Sequence, residues 1–146
     1  MTLEVTATVH IARHPADVAA VAFDPRRDPE WLSFVDSVEV ASDGPVKAGT
    51  RVRRRGEFMG RRFDWVMDVL RLERDRRIAM RTVDGDLPAE VSCDLEPDDG
   101  GTRATVGLRV EADLGFRGRL IEPLARRTLE RDADALRRLV EAEPKA

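Results

Sequence analysis

One stretch near the C-terminus, Leu114 to Val140, carries apolar residues at helical spacing over a length that no other segment of this 146-residue chain matches. From Pro123 onward, Leu124, Ala125, Leu129, Ala135, Leu136 and Leu139 fall on one side of a helix, with Arg126, Arg127, Glu130, Arg137, Arg138 and Glu141 on the other. A lone amphipathic helix cannot cover its own apolar stripe, so an earlier part of the chain must form a surface to receive it. Pro123 cuts across this stretch. Inside a helix it removes one hydrogen bond and crowds the carbonyl of Arg119, which predicts a kink or break near Leu120 to Glu122, with Asp113 to Ile121 as a separate short piece able to act as a gate.

The receiving surface reads as a sheet. Leu3, Val5, Ala7, Val9 and Ile11 alternate with Glu4, Thr6, Thr8 and His10, the period of a strand buried on one face. Two short helices follow: one with Pro15 at its first position and Val18, Val21 and Ala22 on one side, the second with Asp28 as N-cap and Pro29 at the first position. From Val35 the period returns to two. Strands are predicted over Ser37 to Ser42, Thr50 to Gly56, Arg61 to Glu73, Ile78 to Val83, Ala89 to Leu95 and Thr102 to Glu111. Turns fall at Asp43-Gly44-Pro45, Met59-Gly60, Glu73 to Arg76, Asp84-Gly85-Asp86 and Pro97 to Gly101. Strands joined by short turns pair antiparallel, and a meander with one apolar face must curl to shelter it. The fold class is therefore α+β, a curved seven-stranded antiparallel sheet closed by the C-terminal helix. A straight helix and a curved sheet do not mate along their whole length, so a gap between them is expected.

Composition sets the bounds. With 42% hydrophobic and 36% charged residues, the chain fits one domain over residues 1–146 with one core. A formal charge of -3 gives no global pull toward nucleic acid or anionic lipid. No apolar run reaches a membrane span and the N-terminus lacks the pattern of a secretory signal, so the cytoplasm is the expected compartment. Cys93 is the only cysteine, which excludes an internal disulfide and a cysteine-based zinc cluster. His10 and His14 have no partners at the spacing a metal site or a nucleophilic dyad needs. The arginine run from Arg51 to Arg62 contains no interleaved aromatic; Arg51, Arg53 and Arg55 share an outer face on which Glu57, Asp64, Asp68 and Glu73 can pair with them.

The opening strand with Ile11-Ala12-Arg13-His14-Pro15-Ala16-Asp17-Val18, the Asp28-Pro29-Glu30-Trp31 turn, Gly49-Thr50-Arg51-Val52 and a final helix containing Pro123-Leu124 together resemble the polyketide cyclase/dehydrase-like branch of the START-like (SRPBCC) superfamily. The resemblance spans nearly the whole chain and rests on the order of these loose motifs. It implies a helix-grip fold with a deep, mostly apolar cavity for lipids, polyketides, sterols, aromatics or quinones. It implies no one reaction, since such proteins include carriers as well as cyclases. No cofactor is implied.

Candidate ligand-binding residues follow from where a cavity must lie. Phe63, Trp65 and Met67 alternate along one strand and project together; in one reading they are plain core, in the other a pocket wall. Phe116 is placed to close one end, with Leu124 and Thr128 on the covering helix. Trp31 either caps one end of the sheet or staples its short helix. Cys93 lies on an apolar face, as a buried inert thiol. Asp132 sits between Leu129 and Leu136 on the helix stripe with no cation three or four residues away. Either the helix has passed the sheet there and Asp132 is in water, or it is buried and needs a distant partner, with Arg81 and Arg54 as candidates whose facing is undetermined.

Two functions remain in play: a non-catalytic carrier of a hydrophobic small molecule, and a cyclase/dehydrase-type enzyme. Convergence of at least two titratable side chains inside the cavity separates them. No catalytic or metal-ligating residue is assigned. The expected partner is the small molecule itself, with no nucleic acid and no membrane span, and a homodimer stays open. An assembly module would instead show a filled core and an exposed apolar patch.

Overall fold

A computed structural model describes residues 2–58, 60–85, 88–111 and 114–144. The expectations placed on Met59, Asp86 and Asp113 lie outside these described residues. Seven strands run β1 Leu3–Ile11, β2 Ser37–Val40, β3 Arg51–Phe58, β4 Arg61–Glu73, β5 Arg77–Asp84, β6 Ala89–Asp98 and β7 Gly101–Val110. Two α-helices, α1 Pro15–Ala22 and α2 Arg117–Ala142, and a 3-10 helix, Pro25–Glu30, complete the set.

The sheet order is β1-β7-β6-β5-β4-β3-β2, with every neighbouring pair antiparallel. The chain thus leaves one edge after β1, crosses by α1 and the 3-10 helix, and returns strand by strand. Bulges at Val66/Met67 and Val69/Arg71 break the β4–β5 register; such insertions increase local twist and bend the sheet. The curl around α2 is the helix-grip arrangement that the sequence implies. Tight turns use strained backbone where expected: Asp75 (φ 58°) between β4 and β5, and Asp99 (φ 46°) with Gly100 (φ 76°) between β6 and β7.

Both helical segments after β1 start on an Asp-Pro or His-Pro signal, but the second starts four residues earlier than the spacing suggests. Asp24 is its N-cap, accepting from Arg26 N at 3.1 Å, and Pro25 occupies the first turn. Asp28 lies within the 3-10 helix, where its carboxylate has no capping duty and turns into the interior. Asp24-Pro25 and Asp28-Pro29 carry the same local signal, and tertiary packing chooses between them.

α2 buries Gly118, Ala125, Leu129, Asp132, Ala133, Leu136 and Val140. That face keeps Ala125, Leu129 and Leu136 of the predicted one but is rotated from it, since Leu124 is 44% exposed while Asp132, Ala133 and Val140 are buried. The helix also runs through Pro123 without the predicted break. Pro123 and Arg119 lie on the solvent side, where water can serve the carbonyl freed by the proline. The C-terminal half is pinned. Ala12 N donates to Glu141 Oε2 at 2.9 Å, Arg13 Nη2 donates to the Glu141 carbonyl at 2.6 Å, and Arg27 pairs with Glu143.

Candidate functional site

The gap between sheet and helix is present. A chamber of about 310 Å³ opens under the first turns of α2. Its floor comes from alternate residues of the strands: Phe63, Trp65 and Met67 of β4, Val91 of β6, and Leu108 and Val110 of β7. Ile121, Ala125, Thr128 and Leu129 of α2 form the roof. Phe34, Phe58, Phe63 and Trp65, four of the chain's seven aromatic side chains, meet there. Phe34 stacks on Trp65 at 6.3 Å with a 23° interplanar angle, Phe63 stands edge-on to Trp65 at 6.2 Å, and Arg61 lies over Phe63 at 5.7 Å. Offset and edge-on contacts of this kind are the favoured packing of aromatic rings.

A second, smaller space of about 50 Å³ adjoins the chamber, with Phe34, Val91, Leu108 and Leu129 lining both. Its character is different. Asp28, Trp31, Arg54, Ser92 and Cys93 contribute to its walls. Arg54 is 4% exposed and pairs with Asp28, which is 2% exposed. Alternation along β3 explains the inward aim: Val52, Arg54 and Gly56 are buried, while Arg51 and Arg53 point outward to Asp68 at 2.9 Å and Asp64 at 2.7 Å. Burial pushes the Asp28 carboxyl up to about 6, and the Arg54 guanidinium holds it from rising further.

Arg54 is undersupplied with acceptors. Besides Asp28 its nitrogens reach only the Met67 and Met80 sulfurs, at 3.5 and 3.6 Å, and its Nε has no partner. Thioethers are weak acceptors. The Trp31 indole N–H is likewise buried without an acceptor. Two donors are thus left unpaired beside one small space, and each unserved buried donor costs about 1–3 kcal/mol.

The loop carrying Phe34 is held against β3 by a close backbone approach. A Cβ at Gly56 would stand 1.6 Å from the Phe34 carbonyl oxygen. Only glycine admits this contact, and it sets the position of the aromatic side chain shared by the two spaces.

The residues expected from sequence separate cleanly. Phe63, Trp65, Met67 and Thr128 line the chamber, and Cys93 lines the inner space, its thiol pushed up to about 12 chiefly by burial. Arg81, Phe116, Leu124 and Asp132 line neither space. Arg81 is 58% exposed and faces Glu90 at 3.9 Å, because its neighbour Thr82 takes the inward position on β5. Phe116 is 77% exposed, on the turn before α2, and Leu124 falls outside the rotated helix face. Asp132 is buried, 1% exposed, but apart from both arginines. Burial pushes its carboxyl up to about 6, opposed by the hydroxyl and backbone N–H of Ser33, and its Oδ2 has no partner. Asp28 is a site residue that sequence reasoning misses. Arg54 has a signal in its sharing a strand face with Val52, whereas Asp28, in a six-residue 3-10 helix, has none.

Among the described residues no cluster of three or more His, Cys, Asp or Glu is placed to hold a metal ion. Among them too, no helix is long and apolar enough to cross a membrane.

Known structures share this architecture. A START superfamily protein from Mycobacterium smegmatis superimposes with a TM-score of 0.79 at 23% identity, covering 95% of this chain and 97% of that one. The Zhui aromatase/cyclase from a Streptomyces species gives 0.78 at 18% identity, covering 97% and 94%. A protein from Thermus thermophilus gives 0.72 at 24% identity, covering 94% of each. A comparison with curated proteins finds no match. The family model described as polyketide cyclase / dehydrase and lipid transport matches residues 2–141, essentially the whole of the sheet, cavity and covering helix described above. The chain therefore belongs to the polyketide cyclase / dehydrase and lipid transport family.

Proposed function

We propose that this protein binds a hydrophobic small molecule of modest size, with an oxygen of the guest seated against Arg54. The observation that carries this reading is the pairing of an apolar chamber with a buried guanidinium at its inner end whose one oxygen acceptor is Asp28 and whose Nε has no partner. At about 310 Å³ the chamber is at the small end of ligand sites, which run from roughly 300 to 1,000 Å³. This favours a guest of a few fused rings or a short acyl chain. Its apolar body gains from leaving water, at roughly 25 cal/mol per Å² buried, and its carbonyl, phenol or carboxyl oxygen meets Arg54 and the Trp31 N–H. Native mass spectrometry of protein purified from its own host, with identification of the released compound, tests the reading. A stoichiometric apolar compound bearing one oxygen function supports it; a purely hydrocarbon guest removes the role given to Arg54.

A second reading, an enzyme of the cyclase/dehydrase type, is favoured by one observation. Asp28 and Arg54 are two titratable groups converging at the inner end, and burial pushes the Asp28 carboxyl up to about 6. A carboxyl in that range can exchange a proton with a guest hydroxyl or carbonyl while Arg54 stabilises developing negative charge. The residue to test is thus Asp28 rather than Asp132. A pH–rate profile with a limb near 6, abolished in Asp28→Asn while binding persists, supports catalysis. Binding without turnover of any such guest leaves the carrier reading alone.

A further inference from the structure

The start of α2 exposes apolar side chains that the fold does not use. Phe116, Leu120 and Leu124 are 77%, 67% and 44% exposed, and successive members are four residues apart, so they form one stripe along the outer side of the chamber roof. Ile121, one position from Leu120, faces the chamber. The stripe therefore adjoins the part of the cavity that Leu114 and Ile121 close.

The stripe is flanked by a local excess of positive charge. From Arg117 to Arg131 there are five arginines against two glutamates, a local balance of +3 in a chain whose formal charge is -3. On the sheet, several exposed arginines are matched by carboxylates, Arg51 with Asp68, Arg53 with Asp64, Arg77 with Asp94 and Arg103 with Glu96, while among the described residues Arg61 and Arg71 on β4 are not. Arg126 pairs with Glu122. Among the described residues, Arg117, Arg119 and Arg127 have no such partner and are exposed. Aromatic and leucine side chains flanked by free guanidinium groups match a surface that is anionic at its face and apolar just beneath, as a bilayer with acidic headgroups is. A second copy fits poorly, because a two-fold contact would set the same unpaired arginines against each other.

We infer that the first three turns of α2 dock in the plane of an anionic lipid surface, with Phe116, Leu120 and Leu124 inserted and Arg117, Arg119 and Arg127 on the headgroups. The helix lies on the bilayer and does not cross it. The chamber is thereby presented to the lipid phase, from which an apolar guest can enter without passing through water.

Co-flotation tests this with vesicles of phosphatidylcholine alone and with a third of the lipid replaced by phosphatidylglycerol, at low and high salt. The protein is expected to float with the acidic vesicles, to stay behind with the neutral ones, and to be released by salt. Leu120→Ser with Phe116→Ser, and separately Arg117→Glu with Arg119→Glu, lower the bound fraction about tenfold or more, with unchanged circular dichroism since all four positions are exposed. Absence of flotation, or flotation indifferent to both variants, overturns the inference. So does a stable dimer by light scattering that Leu120→Ser dissolves. The vesicles carry no added guest, so the result is independent of whether the cavity binds one.

Discussion

The two ends of the cavity follow opposite rules. At the outer end, under the first turns of α2, aromatic and aliphatic side chains enclose about 310 Å³ and almost nothing polar faces inward. At the inner end about 50 Å³ is bounded by an ion pair, a thiol and an indole N–H without an acceptor. An apolar wall can remain part-empty at the loss of some packing contacts, whereas a charged group removed from water must be paired. The contrast teaches that space comes from the failure of helix and sheet to mate, and the polar character of the inner end from the ion pair that one strand position, Arg54, makes with Asp28.

The largest effect expected from breaking this contrast is at the inner end. Asp28→Asn leaves Arg54 buried without its counter-charge and should cost about 3–5 kcal/mol by urea unfolding. Replacing both groups, Asp28→Leu with Arg54→Met, should restore most of that loss, since well-packed apolar residues often replace a buried pair with little cost. Failure of the double variant to recover would mean that the pair also holds the 3-10 helix in place.

Next comes the support shared by the two ends. Gly56→Ala forces a methyl into the Phe34 carbonyl, so the loop must move. A loss of about 2–3 kcal/mol is expected, together with altered near-ultraviolet circular dichroism from the Phe34–Trp65 stack. Unchanged spectra would show that the loop position does not set the aromatic wall.

A third comparison sets Asp28 against Asp132, both pushed up to about 6 by burial but only one of them ion-paired. A carboxyl whose folded pKa is raised favours the folded state fully below its unfolded pKa near 3.8, and that contribution is lost as pH rises through 6. Asp132→Asn, which keeps the shape of the neutral acid, should therefore be more stable than the parent above pH about 6 by about 1–2 kcal/mol, with the gain fading toward pH 4. Unfolding curves across that range check it; a gain that persists at low pH would assign the effect to packing.

The smallest effect concerns the halves of α2. Glu141 and Glu143 fasten the end of the helix to Ala12, Arg13 and Arg27, while Leu120 and Leu124 sit in solvent. Hydrogen exchange over 117–124 should outpace that over 129–140, and Leu120→Ala should change stability by less than about 0.5 kcal/mol. Equal protection of the two halves would remove the motive for gating at the cavity mouth.

Much of the fold is legible because strand alternation survives in the residues themselves: it places β4 from Arg61 to Glu73, as observed, and the outward aim of Arg51, Arg53 and Arg55 follows from Val52. The same alternation puts Phe63, Trp65 and Met67 on one wall. Helical phase is less legible. On α2, leucines at 120, 124, 129, 136 and 139 support more than one face, and contact with β1 selects the one centred on Ala125, Leu129 and Leu136. The inner end is legible in half. Arg54 has a strand period to fix its direction, but Asp28 sits where neighbouring Asp-Pro pairs give identical cap signals, and only the assembled core shows which aspartate is free to pair.

The two indole N–H groups provide the most direct test, since Trp65 lines the outer chamber and Trp31 the inner space, and the chain has no other tryptophan. In a nitrogen–proton correlation spectrum titrated with naphthalene and then with 2-naphthol, the hydrocarbon should move the Trp65 signal alone. The naphthol should move both, with Trp31 shifting downfield as its N–H gains an oxygen acceptor. Saturating additions that leave both signals in place, or that move Trp31 equally with the two compounds, would contradict an apolar chamber ending at a polar anchor.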